Sequence, residues 1–146
     1  MWNYKKFTAE QLETKLSAAQ KLVDYAMWLA KLQYDGGRAF AYEHPSRATS
    51  WQLDSVSRVK ALRGVQAITF DMCMFGLCSP RSKTPCQKTT AVLTNSLALA
   101  KLLEGHKCDK SHVHMRIQGS EGGITLSKWC QKYPPAFCQA VVNSLA

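Results

Sequence analysis

Apolar residues along this chain recur with two different periods, and the alternation between them marks out the elements. Thr8 and Gln11 form a capping box, and Leu12, Leu16, Ala19, Leu22, Tyr25, Leu29 and Leu32 follow at steps of three and four. The spacing predicts a long amphipathic helix packed on a sheet and ended by Gly36-Gly37. Arg38–Glu43 is a short apolar-aromatic run that predicts a strand, stopped at His44-Pro45 because a residue before proline avoids helical geometry. Ser50 can cap a helix carrying Trp51, Val56, Val59 and Leu62, closed by Gly64.

Val65–Phe70 then predicts a buried strand ending at Asp71, followed by a loop over Met72–Gln87 rich in Cys, Pro, Ser and Lys. Lys88–Thr94 predicts a third strand, and Asn95 can cap a helix bearing Leu97, Leu99, Leu102 and Leu103, stopped by Gly105. His106–Gly123 is polar and glycine-rich. A short helix around Leu126–Tyr133 follows, and Pro134-Pro135 opens a last helix with Phe137, Val141, Val142 and Leu145.

The order α-β-α-β-β-α with a helical tail predicts a single α/β domain over residues 1–146. Its expected core is a half-Rossmann, methyltransferase-like sheet of about three strands flanked by helices. In open α/β sheets ligands bind at the carboxyl ends of the strands, so Glu43, His44, Asp71 and Cys73 are expected at one such edge. A narrow sheet with two free edges invites pairing with a second copy or with a neighbouring domain.

Composition narrows the function classes. No apolar run reaches the length of a membrane span, and MWNYKKFTAEQ lacks the apolar core of a signal peptide. The expected location is therefore intracellular, cytoplasm or nucleus, with the six cysteines as thiols or metal ligands. Lys and Arg outnumber Asp and Glu by 19 to 10, a formal charge of +9. That balance suits a nucleic-acid partner held through its phosphates, and Arg81, Lys83 and Lys88 are the expected contacts. A solvated basic surface is the plainer account, since no RRM, zinc-finger or basic-helix signature accompanies the charge.

Cys108, His112 and His114 place three soft metal ligands within seven residues. Zinc prefers four such ligands in a tetrahedron. Cys73, in the loop after the second strand, is the expected fourth, with Cys78 and Cys86 as substitutes, and the ion would be structural. Cys130 and Cys138 lie among apolar neighbours on helical segments and read as core. His112-Val113-His114 also matches the His-hydrophobe-His pair of metal-dependent nucleases that attack with a tyrosine, for which Tyr133 is available, although such a pair belongs on a central strand. Glu43, His44, Trp51, Asp71 and Asn95 are expected to shape a pocket, with Glu43 paired to Arg47 as the simpler alternative. Serine-hydrolase, P-loop and dinucleotide-binding signatures are absent.

GRAFAYEHPSRATSW, DMCMFG, KTTAVLTN, CDKSHVH and YPPAFC, in that order between about Leu22 and Val142, together resemble a domain of copia-type retrotransposon polyproteins. The matching positions are Glu43, His44, Pro45, Trp51, Asp71, Cys73, Gly76, Thr94, Asn95, Cys108, His112 and His114. More distantly, strand–Glu–x–Pro, helix, strand, glycine loop and basic strand is similar to the second half of cytosine-C5 DNA methyltransferases. There Glu43-His44-Pro45 would stand for a base-contacting segment, and Phe75-Gly76 through Lys88 for the glycine loop and basic strand. The catalytic cysteine of those enzymes precedes the glutamate, whereas the first cysteine here is Cys73, and no glycine-rich cofactor turn is present. Without a nucleophile a degenerate or split methyltransferase would be inert alone. The resulting expectation is a non-catalytic nucleic-acid-associated domain of mobile-element origin. An enzyme (nuclease or split methyltransferase) and a homo-oligomeric assembly module are the alternatives.

Overall fold

A computed structural model describes residues 6–145. The N-terminal reading of MWNYKK therefore lies largely outside the described residues. Helix α1 spans Ala9–Asp35 and starts at the expected capping box of Thr8 and Gln11. Strand β1 (Ala41–Pro45) is followed by a single 3-10 turn at Thr49–Gln52 and by α2 (Asp54–Lys60). Strand β2 (Gln66–Asp71) runs into a second 3-10 turn, Met72–Phe75. Strand β3 (Thr89–Thr94), α3 (Leu97–Glu104), a small hairpin of β4 (Ser120–Glu121) and β5 (Ile124–Thr125), α4 (Leu126–Trp129) and α5 (Pro135–Leu145) complete the order.

The main sheet has the order β1-β3-β2, and both pairings are antiparallel. This corrects the half-Rossmann, methyltransferase-like expectation, which needs neighbouring parallel strands. β1 and β2 do run in the same direction, joined by a crossover through α2, but β3 enters between them. Pro45 pairs with Thr90 and Asp71 with Thr89. The carboxyl ends of β1 and β2 therefore share one edge with the start of β3. Pro45 closes an outer strand, where its missing N–H removes no ladder bond from the sheet interior.

Helices cover both faces. Ile68, Phe70 and Val92 pack with Leu99, Ala100 and Leu103 of α3 and Phe137 of α5. On the other face Leu93 and Phe40 meet Met27 and Ala30 of α1 and Val56 and Val59 of α2. In the central strand β3 the neighbours Val92 and Leu93 go to opposite cores, as the period of two requires.

Several sequence expectations change. In α1 the sheet is met by Val23, Ala26, Met27, Ala30 and Tyr34, while Leu16, Leu22, Tyr25, Leu29 and Leu32 are exposed. Ser50 caps nothing: its hydroxyl is buried without a partner, and α2 begins after Leu53 with no side-chain cap. Ser96, not Asn95, caps α3 by accepting from the Leu99 N–H at 3.2 Å. Cys130 is buried as expected, whereas Cys138 is exposed. The hairpin β4–β5 was not foreseen; Gly122 and Gly123 turn it with positive φ of 55° and 80°. Among the described residues no helix is long and apolar enough to cross a membrane.

Phe70 is fully buried, stacked on Phe137 at 5.4 Å and edge-on to Phe75 at 5.7 Å. Phe70→Ala should cost about 3–5 kcal/mol, read as a lower urea midpoint at unchanged slope. A loss below about 1 kcal/mol would mean that this cluster does not carry the core.

Candidate metal centre

Four soft donors meet where β2 ends. Cys73 Sγ, Cys108 Sγ and one ring nitrogen each of His112 and His114 lie within 4.8 Å of one another. Cys108 Sγ is 3.6 Å from His112 Nε2 and 3.4 Å from His114 Nε2. These are the four residues expected from sequence. The group can hold a metal ion, with all four donors supplied by the protein. Cys78 and Cys86, the substitutes, lie outside the cluster; Cys86 is buried in the α3–α5 core.

The local chain explains the convergence. Cys73 sits in a 3-10 turn that Gly76 terminates at φ 83°, a left-handed conformation suited to glycine. Cys108, His112 and His114 come from an irregular segment after α3. That segment is fastened by Asp71. The Asp71 N–H donates to His106 O at 3.0 Å, and Asp71 Oδ2 accepts from the Cys108 N–H at 3.0 Å. Asp71 Oδ1 accepts from Thr89 Oγ1 at 2.6 Å and from Gln87 Nε2 at 3.3 Å. Burial pushes the Asp71 carboxyl up, but hydrogen bonds from Thr89, the Cys108 N–H and Gln87, with attraction from His114, outweigh it and leave it below the usual carboxylate range. A short link from the Lys110 N–H to Cys108 Sγ at 3.3 Å folds the ligand segment back on itself.

Burial pushes the Cys73 thiol up to about 12, with the Cys108 side chain and the Asp71 charge adding to it. A bound cation would favour the Cys73 thiolate and offset that cost. Val113, between the two histidines, is 82% exposed. The His-Val-His pair is therefore in a loop rather than on a central strand, with both imidazoles turned toward Cys108. Tyr133, the suggested nucleophile of the nuclease reading, donates its hydroxyl to Glu43 Oε2 instead.

The other expected pocket residues do not gather. Glu43 and His44 leave opposite faces of β1, as successive strand residues must. Glu43 joins Tyr133 on the α5 side, leaving its Oε1 buried without a partner, and Lys88 Nζ lies 5.3 Å from the Tyr133 ring centroid. His44 stacks on Tyr42 at 5.7 Å and meets Trp51 edge-on at 6.3 Å on the α1–α2 side. Burial lowers the His44 pKa, with Glu43 opposing. Trp51 Nε1–H donates to Pro45 O at 2.8 Å, which makes it a brace for the strand end. Asn95 lies just past the far end of β3, about 20 Å from Asp71 at strand rise. There it accepts from the Phe40 N–H and donates to Arg38 O, both at 2.9 Å.

Arg81 and Lys83 occupy one tight turn held by Glu121, whose carboxylate accepts from the Arg81 and Ser82 N–H groups at 2.9 and 3.2 Å. Arg81 Nη2 reaches Gly122 O and Lys83 Nζ reaches Pro80 O, so each cationic head is engaged within the chain. Three cations of the basic surplus that the sequence did not single out as contacts flank the ligands. Lys107, Lys110 and Arg116 are exposed and interleave with Cys108, His112 and His114; their spacing around Cys108–His114 was the available signal. Sequence reasoning also missed Thr89 and Gln87 as the supports of Asp71.

In comparisons with protein-family models, curated proteins and solved structures, nothing matches this chain.

Asp71→Asn would keep the shape but offer one acceptor oxygen to three donors. It should cost about 1–3 kcal/mol in chemical denaturation and weaken metal binding by about 10–100-fold in a competition titration. Unchanged values for both would show that Asp71 does not hold the ligand segment.

Proposed function

We propose that this chain is a non-catalytic nucleic-acid-binding domain of mobile-element origin, stabilised by structural zinc at Cys73, Cys108, His112 and His114. The observation that carries the reading is the meeting of four soft donors from two loops at one edge of the sheet. With zinc–sulfur and zinc–nitrogen bonds of about 2.3 and 2.0–2.1 Å, a tetrahedron places its sulfur and nitrogen corners roughly 3.5–3.6 Å apart. The sulfur–nitrogen separations of 3.4 and 3.6 Å fit that edge. Four protein ligands leave no open position for water or substrate, which favours a structural over a catalytic ion. The zinc would tie the segment after α3 to the end of β2.

The nucleic-acid reading rests on charge. The chain carries +9, and Lys107, Lys110 and Arg116 stand exposed on the ligand-bearing segment itself. Zinc would fix their backbone, so that phosphate contacts are made by an ordered loop. Arg81, Lys83 and Lys88 would add to the field from the loop before β3 and its start. DNA and RNA are both served by this chemistry, as is a nucleoprotein or a neighbouring polyprotein domain that presents phosphate.

Elemental analysis of the purified protein should give one zinc per chain, and Cys73→Ala should lose most of it. A chelator should then lower the melting temperature of the parent protein toward that of the variant. Protein that contains no zinc and takes up none on titration would end the metal assignment. For the nucleic-acid partner, fluorescence anisotropy should show affinity falling steeply with salt. Each phosphate neutralised contributes roughly 0.9 to the slope of log K against log salt on duplex DNA. Lys107→Ala, Lys110→Ala and Arg116→Ala together should flatten that slope by about 2–3. Binding that is absent or indifferent to salt would falsify this reading.

A further inference from the structure

Helix α1 carries a second apolar seam that the described residues leave partly to largely exposed. Val23, Ala26, Met27, Ala30 and Tyr34 face the sheet. On the outward side Ala18, Leu22, Tyr25, Leu29 and Leu32 recur at steps of four and three over two heptads. A period of 3.5 keeps one stripe of a helix turned toward a neighbouring helix along its whole length. Leu22 is 72% exposed, Tyr25 58%, Leu32 46% and Leu29 37%. Trp28 flanks the seam with its ring stacked on Tyr25 at 5.6 Å. The carboxyl half of α1 is thus apolar on both sides, a pattern that belongs to a helix covered on both. α2 and β1 are the elements chiefly packed on α1, on its sheet-facing side.

We propose that a second copy of this chain covers the seam, with α1 packed antiparallel on α1 about a two-fold axis. The heptad spacing selects a helix as occupant, because knobs-into-holes packing needs a facing helix of the same period. The second copy supplies one with an identical seam, and a single two-fold operation closes both. Charge selects the direction. Placing Leu22 opposite the partner's Leu32 and Tyr25 opposite the partner's Leu29 brings Lys21 alongside the partner's Asp35, and the axis repeats the pair. In a parallel arrangement Lys21 would lie by the partner's Ala26 and gain no opposite charge, whereas the antiparallel one adds Lys21 to the Lys31–Asp35 ion pair already present within each helix. A seam of about 21 Å at 1.5 Å per residue is short, which puts the pair at the small end of stable interfaces and makes it concentration-dependent. A groove of about 710 Å³ beside the seam, lined by Leu29, Gln33, Phe40, Tyr42 and Leu145, gives the partner helix room at one flank. The pairing is independent of whether the chain binds nucleic acid.

Sedimentation equilibrium of the full chain over a wide concentration range tests this directly. The parent protein should move from one chain mass toward twice that mass as concentration rises. Leu22→Glu and Leu32→Lys should each remain at one chain mass, with circular dichroism unchanged because neither side chain belongs to the buried core of the single chain. An equimolar mixture of the two variants should regain the doubled mass, since the introduced charges face one another only in the antiparallel register. A parent protein that stays at one chain mass throughout, or a dimer indifferent to both substitutions, overturns the proposal. A mixture of the variants that stays at one chain mass overturns the antiparallel arrangement.

Discussion

The carboxylate of Asp71 is the joint on which the candidate centre depends. It is buried at the end of β2 and accepts from Thr89, Gln87 and the Cys108 backbone, while its own N–H reaches His106. A buried charge is tolerable only when its lone pairs are met, and here the partners come from β3, from the loop before it, and from the segment after α3. Satisfying one carboxylate therefore fixes three separate pieces of chain. Cys108 is drawn to Cys73 as a consequence, and His112 and His114 follow because they share the Cys108 segment.

The insertion of β3 between β1 and β2 decides which other residues can cooperate. β1 and β2 still end at one edge, so the Glu43-His44-Pro45 corner and Asp71 do lie on a common rim. Yet Glu43 and His44 point away from each other, one into the α5 side with Tyr133 and Lys88, the other against Tyr42 and Trp51. Aromatic and proline residues at this corner brace the strand end. Among the described residues the rim thus carries the Cys2His2 group, with the Glu43–Tyr133 hydrogen bond as a separate polar contact.

The same economy runs through the rest of the fold. Glu121 of the small hairpin organises the turn holding Arg81 and Lys83 through their backbone N–H groups. Trp129 donates to Cys78 O at 2.9 Å, and Cys130 packs in the α3–α5 core, so the loop over Met72–Gln87 is sewn down on α4. A loop held this way has little conformational freedom left to lose on contact with any partner.

Much of this was legible in the chain itself. The capping box at Thr8, the punctuation by glycine and proline, and the three apolar runs are local signals, and local backbone preference settled the elements they predict. The candidate metal centre was legible too: Cys108, His112 and His114 are soft donors within seven residues, and Cys73 stood in the loop where β2 ends. Tertiary structure decided what local signals cannot carry. Strand direction depends on which partner completes the ladder, and β3 could enter between β1 and β2 only through contacts distant in sequence. The buried face of α1 was equally undetermined, because its apolar residues form two seams of the same period and periodicity alone does not say which meets the sheet. Asn95 against Ser96 as the helix cap turned on an outside claim: β1's approach offered Asn95 an N–H and a carbonyl to bond, leaving the cap to its neighbour.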